Sequence, residues 1–263
     1  MREVSFGMPT LIETYSIEQC IDLCKELGLS FIELNMNLPQ YQIETMDVPY
    51  LNSICEKENI YFTIHIDENS NVCDFNNDVA SAYTKTILST IKAAKELKVP
   101  VLNMHMPNGV YFTLPNKKVF LFDKYKDIYM AKLREFMQEC EKAIGDDDIK
   151  ICVENCNEFK DFTKEGIELL LESNVFALTF DIGHNHSANR IDETFIFKHI
   201  DKLHHMHIHD AIGRKNHLPL GQGEIDIKEK ILLGKKHKCR MVIETKTIEG
   251  LKESVMKLKD YSE

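Results

Sequence analysis

Short runs of β-branched and apolar residues recur along the whole chain, and each is followed by a stretch with helical periodicity. We predict eight strands from these runs, at residues 4–7, 31–36, 61–66, 101–105, 149–155, 176–181, 205–209 and 240–245. The spacing of apolar residues predicts helices over 16–27, 78–97 and 123–144, and the first of them opens with the capping sequence Ser-Ile-Glu-Gln. Strands that alternate with helices indicate parallel βα units.

The number of these units indicates the fold class. Eight βα units close a TIM barrel, and the chain of 263 residues has the usual length for one. The units are spread evenly and no Pro/Ser-rich linker interrupts them. We therefore predict an α/β protein with a single (β/α)₈ TIM barrel domain over residues 1–263, with a doubly wound sheet as the alternative.

Polar and apolar residues alternate within the predicted strands. Ile151 and Val153, for example, alternate with Cys152 and Glu154. In a barrel the apolar face meets the helices and the other face points inward. Buried carboxylates and imidazoles that face one another cost several kcal/mol each unless they are paired or bind a cation. The inward residues nearest the C-terminal strand ends are therefore candidate metal ligands.

The strongest candidate set takes one residue from the end of each of the last four predicted strands: Glu154, Asp181, His207 and Glu244. Three carboxylates and one imidazole form a mixed oxygen and nitrogen site that suits Mn²⁺, Mg²⁺ or Co²⁺ and is also compatible with Zn²⁺. Four more histidines are expected around this set: His65, His105, His184 and His217. His209 points the same way as His207 and could contact either the substrate or the metal ligands. Ordinary structural roles are expected for His186, His199, His204, His205 and His237.

Composition restricts the class of protein. The hydrophobic and charged contents of 43% and 28% are typical of a soluble protein, and no run approaches the ~18 apolar residues of a membrane span. Cys20, Cys24 and Cys152 lie in apolar periodic segments and are expected to be buried thiols in a reducing compartment. With no secretory signal visible, we expect a cytoplasmic protein. The net charge of −10 disfavours a broad nucleic-acid surface.

Several short motifs together resemble the xylose isomerase-like TIM barrels. They are IHI at His65, NMHMP at His105, VENCN at Glu154, FDIGHNH at Asp181 and His184, MHIHD at His207, HLPLGQGEID at His217 and VIET at Glu244. The family includes sugar phosphate isomerases/epimerases, ketose 3-epimerases, inosose dehydratases and endonuclease IV. The resemblance implies that Glu154, Asp181, His207 and Glu244 bind a divalent metal, that the substrate is a small sugar or sugar phosphate, and that the protein acts in carbohydrate metabolism, commonly as a homodimer.

In epimerases of this group the two glutamates are also implied to move the substrate proton. A metal bound to a ketose polarises its carbonyl and stabilises the enediolate that forms. Glu154 and Glu244 would then act as the catalytic pair, one removing the proton and the other returning it on the opposite face. The resemblance also implies substrate contacts by His65, His105, His184, Arg214 and His217, with Asn155 and Asn157 assisting.

Other functions stay open at this stage. An endonuclease IV-like zinc enzyme that cleaves abasic DNA is the main alternative, but Lys215 stands where that enzyme has an aspartate ligand. A dehydratase and a non-catalytic sugar-binding barrel are further alternatives. Phosphate recognition by Lys246 or Arg214, which follow the last two predicted strands, is also open.

Overall fold

Eight parallel strands close into a barrel in the computed structural model, which describes residues 4–156 and 158–261. In chain order they are β1 (Ser5–Pro9), β2 (Phe31–Asn35), β3 (Tyr61–His65), β4 (Val101–His105), β7 (Lys150–Glu154), β8 (Phe176–Asp181), β9 (Leu203–Ile208) and β12 (Arg240–Ile243). The first strand pairs with both β2 and β12, which closes the ring. Each of the eight barrel strands coincides with one predicted strand, so the predicted (β/α)₈ TIM barrel is confirmed.

Helices and two hairpins connect these strands. The helices are α1 (Ile17–Glu26), α2 (Val48–Glu58), α3 (Asn77–Glu96), α4 (Leu121–Lys124), α5 (Lys126–Ile144), α6 (Asp161–Leu171), α7 (Ile182–Ser187), α8 (Glu193–Lys198), α9 (Ile227–His237) and α10 (Ile248–Leu258). One hairpin pairs β5 (Tyr111–Leu114) with β6 (Lys117–Phe120), and the other pairs β10 (Asp210–Ile212) with β11 (Lys215–Leu218). Ser16 caps α1 by accepting a hydrogen bond from Gln19 N–H, which confirms the predicted helix start.

The apolar face of each strand packs against the helices. Met206 of β9 and Met241 of β12, for example, lie against α9 at Gly234, where a Cβ atom would come within 3.0 Å of both sulfur atoms. The two methionines are fully buried. Alternate residues of the same strands therefore point into the barrel, as the alternation predicts.

The barrel interior contains buried polar residues that are hydrogen-bonded to one another. Thr179 Oγ1 donates to Asn103 Oδ1 at 2.5 Å, and Asn103 Nδ2 in turn donates to Glu154 Oε2. Thr63 Oγ1 donates to Glu33 Oε2 at 2.8 Å. Because unpaired polar groups are costly inside a protein, these bonds fix the carboxylates in position.

Two further features are the environment of the cysteines and the length of the helices. Cys20, Cys24 and Cys152 are buried free thiols, as predicted, and burial raises the pKa of Cys24 to about 12. Across the two described segments, 4–156 and 158–261, no helix has the length and apolar character needed to span a membrane.

Candidate functional site

The four predicted ligands converge at the C-terminal end of the barrel. Glu154, Asp181 and His207 lie at or near the ends of the neighbouring strands β7, β8 and β9, and Glu244 directly follows β12. The register places Asp181 opposite His207, and the N–H of Glu244 donates to the carbonyl oxygen of Ile208. Each of the four residues offers a ligand atom, and all of these atoms lie within 4.8 Å of one another.

His207 lies at the centre of this group. Its Nδ1 is 3.0 Å from Glu244 Oε2, 3.4 Å from Glu154 Oε1 and 3.8 Å from Asp181 Oδ2. Neither His207 Nδ1 nor Glu244 Oε2 has a hydrogen-bond partner of good geometry, although both atoms are buried. Buried polar atoms that converge without a partner are what a metal site provides before its cation binds. The residues therefore fit a divalent cation.

The electrostatics of the group favour a positive charge at its centre. Burial by itself would raise the pKa of Glu154 and Glu244, yet the neighbouring His207 lowers the pKa of both carboxyls well below their usual value. Burial would likewise lower the pKa of His207, but the carboxylates of Glu154, Glu33 and Glu244 raise it well above its usual value. A proton on His207 thus supplies the positive charge that a metal could replace.

A second group shares Glu154 with the first. Glu154 Oε2 lies 3.2 Å from His105 Nε2 and 3.4 Å from His65 Nε2, and the two imidazole rings are 4.9 Å apart. Burial would lower the pKa of His105, but the Glu154 carboxylate raises it to about 11. These three residues could hold a second cation.

A third group consists of His184, His209 and His217, but the nitrogens of its central residue are already used. His209 Nε2 lies 3.0 Å from Asp181 Oδ2, and its Nδ1 accepts a hydrogen bond from the His217 N–H at 2.8 Å. Gly183 permits this arrangement, because a Cβ atom there would lie 2.0 Å from the His209 ring. His209 therefore orients Asp181 and the chain at His217, and it is poorly placed to bind another metal.

A cavity of about 440 Å³ opens above the group formed by Glu154, Asp181, His207 and Glu244, which we call the ligand group. Its lining residues are His65, Glu68, His105, Glu154, Cys156, His184, His217, Glu244 and Lys246. Four of the five predicted substrate contacts thus face this space. Lys246 Nζ lies 2.8 Å from Glu244 Oε1.

The remaining predicted contacts lie elsewhere. Arg214 is exposed in the turn between β10 and β11 and is not among the residues that line the cavity. Asn155 is buried, and its side chain joins β7 to β8 through two 2.9 Å hydrogen bonds to the backbone of Asp181. Asn157 lies outside the described residues.

Sequence reasoning missed Glu33 and Glu68. Glu33 on β2 is buried, and its carboxylate lies 2.9 Å from both His205 Nε2 and His207 Nε2. The alternation in the sequence FIELN, which places Glu33 on the opposite face from Ile32 and Leu34, would have identified it. Glu68 lies in the loop after β3, where no alternation of polar and apolar residues identifies it.

Comparisons with known proteins agree with this architecture. Residues 21–261 match the family described as xylose isomerase-like TIM barrel. An uncharacterized protein of Methanocaldococcus jannaschii, MJ1188, is 26% identical over 234 residues, which cover 85% of this chain and 81% of that protein. The crystal structure of a D-tagatose 3-epimerase-like protein superposes with a TM-score of 0.79 at 24% identity, covering 98% of this chain and 97% of that one. A D-allulose 3-epimerase from Methylomonas sp. has a TM-score of 0.74 at 13% identity, covering 99% and 97%.

Proposed function

Because the chain belongs to the xylose isomerase-like TIM barrel family, we propose that it is a divalent-metal-dependent isomerase or epimerase of small sugars or sugar phosphates. We further propose that Glu154, Asp181, His207 and Glu244 bind the metal and that Glu154 and Glu244 move the substrate proton. The substrate would occupy the cavity lined by His65, His105, His184 and His217. The epimerase activity in the names of structural neighbours is consistent with this proposal.

The observation that carries the proposal is the similar setting of the two glutamates. Both line the cavity, and β8 and β9 lie between the strands that bear them. Glu154 Oε2 accepts from Asn103 Nδ2, and Glu154 Oε1 faces His207. Glu244 Oε1 accepts from Lys246, and Glu244 Oε2 faces His207. Each carboxylate thus has one oxygen fixed by a side chain and the other directed at the ligand group.

This arrangement suits proton transfer at a carbon atom. When a divalent cation is bound by the four residues, it supplies Lewis-acid polarisation of the substrate carbonyl. One glutamate removes the proton from the neighbouring carbon, which gives an enediolate, and the other returns a proton to the opposite face. Asn103 and Lys246 hold the two carboxylates in place for this transfer.

Solvent deuterium uptake tests the proposal. Metal-loaded protein in D₂O is incubated with ketoses, ketose phosphates and inososes, and exchange is followed by NMR. The expected result is deuterium at one carbon of a substrate. Exchange should be lost with one of the two epimers in Glu154→Gln and retained with both in Glu165→Gln, a control on α6 whose side chain pairs with Lys126 on the surface. Absence of exchange across the panel would overturn the proposal.

The group formed by His65, His105 and Glu154 favours one alternative function, cleavage of abasic DNA by a multinuclear zinc site. Two features oppose it. Both nitrogens of His209 already have partners, so the group of His184, His209 and His217 is poorly placed to bind another zinc ion. Lys215 in β11 also places a positive charge between the predicted contacts Arg214 and His217. Metal counting by mass spectrometry together with an abasic-DNA cleavage assay separates the two functions. Three zinc ions per chain with cleavage would favour the endonuclease.

A further inference from the structure

We infer that the substrate of the proposed isomerase is an uncharged polyhydroxy ketone rather than a sugar phosphate, and that Glu68 at the cavity rim enforces this choice. The inference rests on the proposed function and names its substrate class. It follows from the charge of the cavity and from the occupants of the backbone sites at which a phosphate would bind.

The cavity lacks the positive charge that a phosphate dianion requires. Its described lining includes the carboxylates of Glu68, Glu154 and Glu244, and Lys246 is the single lysine or arginine among those residues. A divalent cation on the ligand group leaves one negative charge uncompensated, because Asp181 adds a third carboxylate to that group. The positive charge of Lys246 offsets the negative charge of Glu68. A protonated His105 would then bring the net charge of the cavity only to zero. Anion recognition relies on a positive excess, which this site does not have.

The Gly-Gln-Gly loop after β11 is the first backbone site that could bind phosphate. Its N–H groups instead point to the buried carboxylate of Asp210. Asp210 Oδ2 accepts from the N–H groups of Gly221 and Gly223, each at 2.9 Å, and Asp210 Oδ1 accepts from Ala211 and Ile225 at 2.9 and 3.1 Å. A nest of backbone N–H groups commonly binds a phosphate, but here a carboxylate of the chain already fills it.

The N-terminus of α10 is the second such site, since barrels often bind phosphate after their last two strands. Glu13, from the loop after β1, accepts a hydrogen bond from the Ile248 N–H through Oε2 at 2.6 Å. Thr247 Oγ1 accepts from the Gly250 N–H at 3.1 Å. The first turn of this helix is therefore capped by the protein's own oxygen atoms, one of them charged.

The basic side chains near these loops are also poorly placed to bind a phosphate. Lys246 is held at 2.8 Å by Glu244, which the proposed chemistry needs in that position. Arg214 is exposed at the tip of the β10–β11 hairpin, away from the cavity lining. A phosphate entering the cavity would therefore have to displace an internal ion pair before it gained a cation.

Glu68 has the features of a contact for sugar hydroxyls. Asn37, in the loop after β2, donates to Glu68 Oε1 at 2.9 Å and accepts from the Glu68 N–H at 3.1 Å. This reciprocal pair fixes the carboxylate at the rim and uses one of its two oxygens, so the other can accept a hydroxyl hydrogen. A neutral polyol gains that hydrogen bond, whereas a phosphate meets a like charge.

The test compares free ketoses with their terminal phosphates in the deuterium exchange assay, using metal-loaded wild type, Glu68→Gln and Glu44→Gln. Glu44 is exposed in the segment before α2 and does not line the cavity, so its variant removes the same charge elsewhere. We expect wild type to favour the free ketose in kcat/KM by at least about tenfold, Glu68→Gln to reduce this preference by about tenfold, and Glu44→Gln to keep it.

The outcomes separate this inference from the function on which it rests. Exchange that is faster with the phosphate would overturn the inference and leave the isomerase proposal intact. An unchanged preference in Glu68→Gln would overturn the role of Glu68. If neither sugar exchanges, the proposed function fails. Calorimetric titration with the same pair of sugars then decides the inference, because tighter binding of the phosphate contradicts it and tighter binding of the free ketose supports it.

Discussion

His207 Nε2 lies 2.9 Å from Glu33 Oε1, on the opposite side of the ring from the carboxylates that face Nδ1. Both side chains are buried, and the other oxygen of Glu33 is held by His205 Nε2 at 2.9 Å and Thr63 Oγ1 at 2.8 Å. The contact is not a regular hydrogen bond, but the negative charge of Glu33 favours the tautomer of His207 that carries its hydrogen on Nε2. Nδ1 then offers its lone pair to a cation. We therefore expect Glu33 to position His207 for the proposed metal.

Replacing Glu33 with glutamine should weaken metal binding. The amide carries no charge and can turn its NH₂ group toward His207, so we expect the affinity for Mn²⁺ to fall by about 10- to 100-fold in calorimetric titration. Glu168→Gln is the matched control, since Glu168 lies 3.1 Å from His199 Nε2 on the outside of the barrel. Equal affinity in Glu33→Gln and wild type, with circular dichroism showing both folded, would show that Glu33 does not orient the ligand.

Metal binding should release protons and strengthen as the pH rises. The surrounding carboxylates raise the pKa of His207 well above its usual value and that of His105 to about 11, so both rings are protonated in the metal-free protein at neutral pH. A cation must displace the His207 proton, and the affinity should therefore rise by up to about tenfold per pH unit for each proton released. Calorimetry in buffers of different ionisation enthalpy counts these protons. Binding that releases none between pH 6 and 8 would contradict this account.

Asp210→Asn should destabilise the fold. The Asp210 carboxylate accepts four backbone hydrogen bonds in a buried position, and an asparagine would turn an NH₂ group toward two of those N–H donors. We expect a loss of about 2–4 kcal/mol in the free energy of unfolding, measured with urea. Asp201→Asn, at an exposed position, should change it by less than about 0.5 kcal/mol. Equal stability of the two variants would show that solvent can replace the Asp210 carboxylate.

The strands and the convergence of Glu154, Asp181, His207 and Glu244 were predictable because they depend on local patterns. The period-two alternation of residues such as Val153 and Glu154 gives both the strand and the direction of its side chains, and parallel strands bring their C-terminal ends together. Glu33 obeys the same rule on β2. No second carboxylate or histidine motif follows it closely in the sequence, so only the alternation marks it.

The rest of the site depends on contacts that no local pattern encodes. Glu13 reaches Ile248, which lies 235 positions later in the chain, and Asn37 reaches Glu68 between neighbouring loops. For Arg214 the resemblance implied a substrate contact, and the structure places this residue in the exposed turn of the β10–β11 hairpin. Loop side chains therefore have to be located in three dimensions.

The most direct test of the two-glutamate account measures deuterium exchange separately from each of two epimeric sugars, at saturating metal, in Glu154→Gln and Glu244→Gln. If each glutamate serves one face of the carbon, wild type exchanges both epimers, and each variant loses epimerisation while still exchanging one epimer, a different one in each case. Loss of exchange from the same epimer in both variants, or epimerisation that persists in either while metal stays bound, would contradict the account.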